Sequence, residues 1–492
     1  MSAMSSRTPD RRRIAVLAAV GVVALPLLGL ALLRGGSAEA GTSASPSFSR
    51  DVAPIIRDKC AGCHRLGGIA PFAFRTAHDV SSRSALIAAA VQERRMPPWP
   101  PGPRSARFAG QSQRTLALRE RETILRWVRA GARTDGKLVG APPRADTAPR
   151  PGETVLRLTM PTPYMPRAVG ASTDDYRCFL LDPSLADDAF VTAARIEPDE
   201  ARLVHHVILF RVAPTSVASA RALDAGAPGP GWSCFGGTGI RASAQETVRG
   251  LDNAPWIAAW APGGGGNRFP EGVGVSLPAG TQIVMQVHYN LLNGRRPDRS
   301  RAVLTTVPAT AALDPLETTL LPAPVELPCA KGESGPLCDR TAALFDQIAK
   351  YGQEAGLIPV GLLLYCGKNA STPPAGPVTF CDNRFDGPAT IYSAAGHMHL
   401  LGRSIRVELN PGTPRARILL EIPRWDFHWQ ASYALAEPVR VQTGDRLRVI
   451  CRHDASLRKN AKTAAGRKPR YVLWGEGTID EMCLGIVQVT RG

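Results

Sequence analysis

Val204-His205-His206-Val207-Ile208-Leu209-Phe210 lies at the centre of a run of alternating pattern, Ala201 to Ala213. Such a run reads as a strand. Comparable runs follow at Thr281 to Asn290, Ser404 to Leu409 and Arg446 to Cys451, separated by turns containing Gly and Pro. From residue 153 onward strands recur and helical runs are scarce, which describes an all-β pair of antiparallel sandwiches. No repeat of fixed period is visible.

The same strand carries two adjacent imidazoles. Two more His-bearing segments are Gln286-Val287-His288-Tyr289-Asn290 and Gly396-His397-Met398-His399-Leu400-Leu401-Gly402. Side chains two apart on a strand leave the same face, so His397 and His399 can converge on one metal. Adjacent His205 and His206 point to opposite faces, so shared ligation by that pair requires a bulge or a strand end. Five clustered His in a chain with nine point to metal ligation. His78, His428 and His453 read as hydrogen-bonded core or surface residues.

Residues 46–136 read differently. Cys60-Ala61-Gly62-Cys63-His64 sets two thiols at the spacing that forms thioethers to both haem vinyl groups, and the next residue offers an imidazole to the haem iron. No second C-x-x-C exists to complete a zinc site. For the other axial position, Met96 is the only Met between residues 41 and 150; Pro97-Pro98-Trp99 after it bars a helix and keeps the chain extended. Asp51 to Lys59 reads as a helix entering the motif. Thr115 to Ala130 reads as a second, with Leu118, Leu125 and Val128 on one face and Gly131 at its C-terminal cap. This stretch resembles c-type cytochrome domains, which implies a small all-α domain with one covalently bound haem c. Residues 137–154 form a linker whose Gly140 to Gly152 portion is Pro-rich and semi-rigid.

The three His segments in this order, followed by Asp480-Glu481-Met482-Cys483, resemble the copper type II, ascorbate-dependent monooxygenases, the family of dopamine β-monooxygenase and peptidylglycine hydroxylating monooxygenase. The resemblance covers residues 155–492. It implies two jelly-roll-like antiparallel sandwiches, 155–308 and 309–492, with one copper each and a solvent-filled cleft between them. It assigns His205, His206 and His288 to an electron-transferring copper, and His397, His399 and Met482 to the catalytic copper that binds dioxygen. Imidazole suits copper in both oxidation states, and a thioether favours Cu(I). By residue type alone Met482 would read as core, as do Met160, Met165, Met285 and Met398. The implied reaction hydroxylates a C–H bond of a small organic substrate with O2, the electrons coming from ascorbate or another reductant and relayed through the fused haem. Ala395 stands where the peptide-amidating members carry a carboxylate-binding Arg, and Leu484 where they carry Asn. Both speak against a glycine-extended peptide substrate.

Eight cysteines remain beyond the haem pair, an even number in an exported chain, which allows up to four disulfides. The resemblance implies a bridge between Cys451 and Cys483, bracing the strand that bears Met482. The remaining pairs stay open; the simplest choices join Cys329 with Cys338 and Cys366 with Cys381, in what reads as a long loop before His397, and leave Cys178 with Cys234.

Arg11 to Arg13, the uncharged apolar run Ile14 to Leu33 and Ala38-Glu39-Ala40 describe an export signal over residues 1–40, or an uncleaved N-terminal membrane anchor. Either delivers the rest of the chain to the periplasm or another extracytoplasmic space. The 492 residues carry a net charge of +17, but +11 of it falls in residues 41–150, with +3 on each side. A nucleic-acid partner is not expected from that distribution. The charge reads instead as steering toward an acidic redox partner or an anionic reductant. No Ser-His-Asp motif, phosphate-binding loop or Rossmann fingerprint is present, and Gly263 to Gly266 reads as a turn. The competing reading is a non-catalytic copper and haem electron-transfer protein, which would place no oxygen from O2 in any product.

Overall fold

The computed structural model describes residues 45–492 apart from 67–69, 138–146, 169–172, 235–236, 241–250, 252, 262–265, 461–467 and 478–479. Residues 1–40, expected as an export signal or anchor, much of the Pro-rich linker and Gly263 to Gly265 therefore lie outside the described residues. Among the described residues no helix is long and apolar enough to cross a membrane. Ser45–Gly492 forms one compact unit.

Its N-terminal part is helical: α1 (Ala53–Lys59), α2 (Ala77–Ser81), α3 (Ser84–Gln92), α4 (Gln111–Arg114) and α5 (Leu118–Arg129). Thr76 and Asp79 cap α2 reciprocally, each side chain accepting the other's backbone N–H. The inward face of α5 differs from the sequence expectation. Ile124 and Trp127 are fully buried against Phe48, Val52 and Ile56, whereas Leu118 is 69% exposed. Ile124 and Trp127, three apart on the helix, form the buried stripe and leave Leu125 and Val128 flanking it, while Leu118 sits in the first turn.

The first β region comprises β1 (Thr154–Thr159), β2 (Asp174–Leu181), β3 (Ala189–Glu197), β4 (Val204–Val212), β5 (Trp232–Ser233), β6 (Trp256–Trp260), β7 (Asn267–Arg268), β8 (Val273–Leu277), β9 (Gln282–Asn290), β10 (Arg301–Pro308) and β11 (Asp314–Pro315). One sheet runs β1-β10-β3-β8-β11 with β7 on β3; the other runs β5-β2-β9-β4-β6. Their inner faces meet in one core that includes Val191 and Ala194 from the first sheet and Val207, Leu209 and Met285 from the second. The central strand β9 is buried on both faces, because α6 (Val217–Ala225) and Trp232 cover its outer side at Val284.

The second β region comprises β12 (Glu317–Pro322), β13 (Glu326–Leu327), β14 (Val378–Arg384), β15 (Ala389–His397), β16 (Gly402–Leu409), β17 (Arg417–Ile422), β18 (Ser432–Val441), β19 (Arg446–His453), β20 (Val472–Leu473) and β21 (Leu484–Arg491). Sheets β12-β21-β15-β18 and β14-β19-β16-β17 share a core with Ile391, Val407, Val449 and Val487 at its centre. The segment expected as a loop before His397 is instead a helical pair, α7 (Arg340–Tyr351) and α8 (Gln353–Tyr365). Asp339 caps α7 by accepting the Ala342 N–H at 2.8 Å, and Gly352 separates the two helices with φ of 90°.

A strap from the helical region completes this second half. Gly102 N donates to Glu421 O at 2.7 Å and Ala106 N to Leu419 O at 3.3 Å, along β17; Ala109 N donates to Ala434 O and Ala436 N to Arg107 O, both at 2.9 Å, along β18. Phe108 enters the core itself, and Arg104 forms a two-pronged ion pair with Glu421. β17 and β18 end their respective sheets, so residues 102–109 satisfy two otherwise open strand edges.

The described disulfides are Cys178–Cys234, Cys329–Cys338, Cys366–Cys381 and Cys451–Cys483, the four pairs named above. The second and third bracket α7 and α8. Cys60 and Cys63 are free.

Candidate metal centres

His205 and His206 lie near the start of β4, and His288 lies opposite on β9, where it pairs with His206. The ladder between these strands slips between Val204 and His206, which makes His205 the extra residue of a bulge. That irregularity lets neighbouring side chains turn to one side. The Nδ1 atoms of His205 and His206 are 3.4 Å apart, and those of His206 and His288 are 3.2 Å apart. Ligand nitrogens about 2.0–2.1 Å from one metal in tetrahedral or trigonal arrangement stand roughly 3.3–3.5 Å apart, so the spacing fits a single ion held by three imidazoles. Three converging ring nitrogens cannot all be satisfied by one another's protons, and a cation between them resolves the conflict.

The surroundings fix which nitrogen faces inward. Asp174 Oδ1 lies 3.1 Å from His288 Nε2 and accepts its N–H, leaving Nδ1 with the lone pair. Tyr176 stacks on the His288 ring at 4.1 Å and donates its hydroxyl to Glu476 O at 3.0 Å, joining the first half to the second. Burial, reinforced by the neighbouring imidazoles, drives His205 and His206 well below the ordinary histidine range, which keeps them in the neutral form that ligates.

His397 ends β15, and His399 follows it past the strand end, the two rings 5.1 Å apart. Their partners reverse the nitrogen choice of the first cluster. His397 Nδ1 meets Gln430 Oε1 at 2.6 Å and His399 Nδ1 meets Asp480 O at 3.2 Å, so Nε2 is the free nitrogen of each. Burial, and then His399, take His397 down to about 4. Met482 is buried just before β21, whose Leu484 pairs with His397 in the ladder. Glu481, with no exposed surface, binds the backbone on both sides: its carboxylate accepts from His399 N at 2.9 Å, Leu401 N at 2.6 Å and Met482 N at 3.1 Å. His453 lies 3.5 Å from that carboxylate and also bonds Met482 O. Burial would raise Glu481, yet these partners hold it below the usual carboxylate range. Trp425 donates Nε1–H to His399 O at 3.1 Å, and a Cβ at Gly402 would stand only 2.7 Å from Trp425 Cδ1.

The two clusters are not separated by the expected open cleft. His206 and His397 have ring centroids 6.4 Å apart, and Phe427 stacks on His205 at 4.6 Å while meeting His399 edge-on at 5.9 Å. A loop between β17 and β18 places this apolar ring between the two sets. Asp174, Tyr176, Gln430 and Phe427 had no signal in the sequence, because each reaches its histidine from a different strand or loop.

In the helical region, His64 Nδ1 lies 3.2 Å from Phe72 O and its ring packs against Phe72 and Phe74, so Nε2 is again the free nitrogen. Met96 lies beyond the end of α3, its N–H donating to Ala90 O at 3.2 Å. His78 and His428 are exposed, and His453 is buried beside Glu481. Met160, Met285 and Met398 are core residues, but Met165 is 40% exposed, between the ends of β1 and β2 and outside either strand.

Residues 165–296 match the N-terminal domain of copper type II ascorbate-dependent monooxygenases, and residues 379–488 match the C-terminal domain. Among solved structures, an allantoicase is 10% identical over 69% of this chain and 90% of that one, with a TM-score of 0.15. A Paenibacillus xanthan lyase is 10% identical over 71% of this chain and 28% of that one, with a TM-score of 0.14. Neither likeness carries an argument about the fold. No curated protein matches the chain. With the two domains of these enzymes present in order, the first holding the three-imidazole cluster and the second the His397, His399 and Met482 segments, the chain is an oxidoreductase of the copper type II ascorbate-dependent monooxygenase kind.

Proposed function

We propose that this chain is an exported monooxygenase that hydroxylates a C–H bond of a small organic substrate, and that its copper centres draw electrons from a haem c attached at Cys60 and Cys63. The observation that carries the haem assignment is the thiol inventory: eight of the ten cysteines are paired and the two of the C-x-x-C-H motif are free. Burial pushes the Cys60 thiol up to about 12, which suits a thioether and not a dithiol that exchanges through its thiolate. His64, whose Nδ1 is engaged by Phe72 O, and Met96 would hold the haem iron. Export rests on residues 1–40.

Copper held by His205, His206 and His288, and by His397, His399 and Met482, supplies one-electron chemistry toward dioxygen. The protein's own part is positional. Asp174 holds the Nε2 proton of His288, Gln430 and the Asp480 carbonyl hold the Nδ1 protons of His397 and His399, and Phe427 keeps water from between the two sets. Ala395, where a carboxylate-binding Arg would stand, favours a substrate without a terminal carboxylate.

Purified protein should contain two coppers and one covalent haem per chain. Met482→Ala should reduce reductant-coupled oxygen uptake to background at unchanged haem content, and isotopically labelled O2 should place one oxygen atom in the product. Unchanged uptake in that variant, or labelled water as the sole product, would sink the assignment.

A further inference from the structure

Residues 423–431 join β17 to β18 and cross from one sheet of the second half to the other. Three of their side chains reach the histidines of the two sets. Trp425 donates its Nε1–H to His399 O at 3.1 Å, Phe427 stacks on His205 at 4.6 Å, and Gln430 Oε1 accepts from His397 Nδ1 at 2.6 Å. Gln430 Nε2 also donates to Phe427 O at 2.9 Å, which couples the position of one to that of the other. The placement of this one loop therefore decides which nitrogen His397 presents and what stands between the two sets.

The strap holds the strands at both ends of the loop. Before its start, Ser105 brackets Glu421: the Ser105 hydroxyl donates to Glu421 O at 3.1 Å and accepts the Glu421 N–H at 2.9 Å. Gly102 N donates to the same carbonyl at 2.7 Å, and a Cβ on Gly102 would stand 3.0 Å from Pro423 Cδ, at the first residue of the loop. After its end, Ala109 N donates to Ala434 O at 2.9 Å. Between these points Trp425 N donates to Arg403 O at 2.9 Å, a further tie to the residue after Gly402 on β16.

We propose that Ser105 is a positioning residue for the metal centres. By holding both backbone groups of Glu421, it fixes where loop 423–431 begins, and through the loop it fixes the Gln430 contact that turns His397 Nε2 toward the second metal. The helical region thus shapes the second set mechanically, through hydrogen bonds to a strand edge. The proposal rests on the reading that His397, His399 and Met482 hold copper. Sealing an open strand edge would also explain the Ser105 bonds, but that role ends at β17 and gives no reason for the copper to sense the hydroxyl.

The test is electron paramagnetic resonance of the copper(II)-loaded full chain, with chelator competition for affinity. A His399→Ala chain, which lacks the second copper, serves as the spectral blank. Ser105→Ala should shift the signal of the second copper in the direction seen for Gln430→Ala and weaken its affinity about tenfold. Ser105→Thr, which keeps a hydroxyl, should restore both. Arg104→Ala removes only the side-chain pair with Glu421 and should match the parent. In the Ser105→Ala, Gln430→Ala double variant the loss should equal that of Gln430→Ala alone, because both act through one contact. Gly102→Ala keeps the Ser105 hydroxyl and crowds Pro423, so it should shift the same signal; it decides the matter if Ser105→Ala does not fold. A parental signal and affinity in Ser105→Ala or in Gly102→Ala, or fully additive losses in the double variant, overturns the positioning role and leaves the copper reading standing. A parent chain that binds no copper at His397, His399 and Met482 overturns both.

Discussion

Glu481 accepts the backbone N–H of His399 at 2.9 Å and that of its own neighbour Met482 at 3.1 Å, so one carboxylate ties together the two chain segments that supply the second metal set. Its third amide, Leu401 N, closes the turn after His399. The pairing is buried, and nothing in solvent can substitute for it.

Glu481→Gln replaces an acceptor-only group by one that must also donate, directed at amides that are themselves donors. Unfolding free energy in urea should fall by about 2–4 kcal/mol. Copper affinity at His397, His399 and Met482 should weaken about 10–100-fold, with the three-imidazole site unaffected. Competition with a graded series of chelators resolves the two sites; equal weakening of both would contradict this role.

Asp174→Ala should act on the other set. Without the carboxylate the His288 proton is free to move to Nδ1, and copper affinity of the three-imidazole site should drop about 10–100-fold. Asp174→Asn, which can still accept through its amide oxygen, should fall in between. A chelator titration in which the Ala variant matches the parent would rule the orienting role out.

The depressed histidines predict acid sensitivity of the metal-free protein. Unfolded histidine has an ordinary value of 6.5, whereas His397 titrates near 4 and His205 and His206 lie well below 6.5. Between these limits the unfolded chain binds more protons than the folded one, so stability is full above 6.5 and is lost as pH falls toward 4. Tm of the apoprotein should decline steadily across that window. His397→Gln, which cannot charge, should show a shallower decline in calorimetric scans.

The strap predicts a contrast between two neighbours. Phe108→Ala removes a buried ring from the core of the second half and should cost about 3–5 kcal/mol. Arg104→Ala removes an ion pair whose arginine is 61% exposed and should cost about 1 kcal/mol or less. Denaturant curves with equal losses for the two would mean that the strap is held by its charges.

The clustered imidazoles could be read from residue type and spacing, because His at i and i+2 is a local pattern, whereas Met482 entered only through the family resemblance. The β character was also legible, since stretches such as 281–290 show an alternating pattern bounded by Gly and Pro turns. The bulge at His205 was legible only as a requirement: two adjacent histidines demand it, but no residue type announces it. Asp174 and Gln430 lie 114 and 33 residues from the histidines they orient, and such contacts exist only once the sheets have formed. α7 and α8 did carry local signals in Asp339 and Gly352, but the expectation of an all-β half overrode them. The strap was hidden because 102–109 reads as an irregular stretch of a helical domain, and only the open edges of β17 and β18 give it a structure.

That strap also sets an order of events. Arg104 and its partner Glu421 are separated by 317 residues, so at roughly 5–20 residues per second the first leaves the ribosome on the order of fifteen to sixty seconds before the second. Throughout that interval the segment that will seal both strand edges has nothing to seal. The last half of the molecule to be synthesised therefore cannot complete its sheet edges without material from the first, and the chain is a closed loop of dependencies, not a helical domain appended to a β one. A gene rearrangement that removed the helical domain would remove part of the second half's core as well.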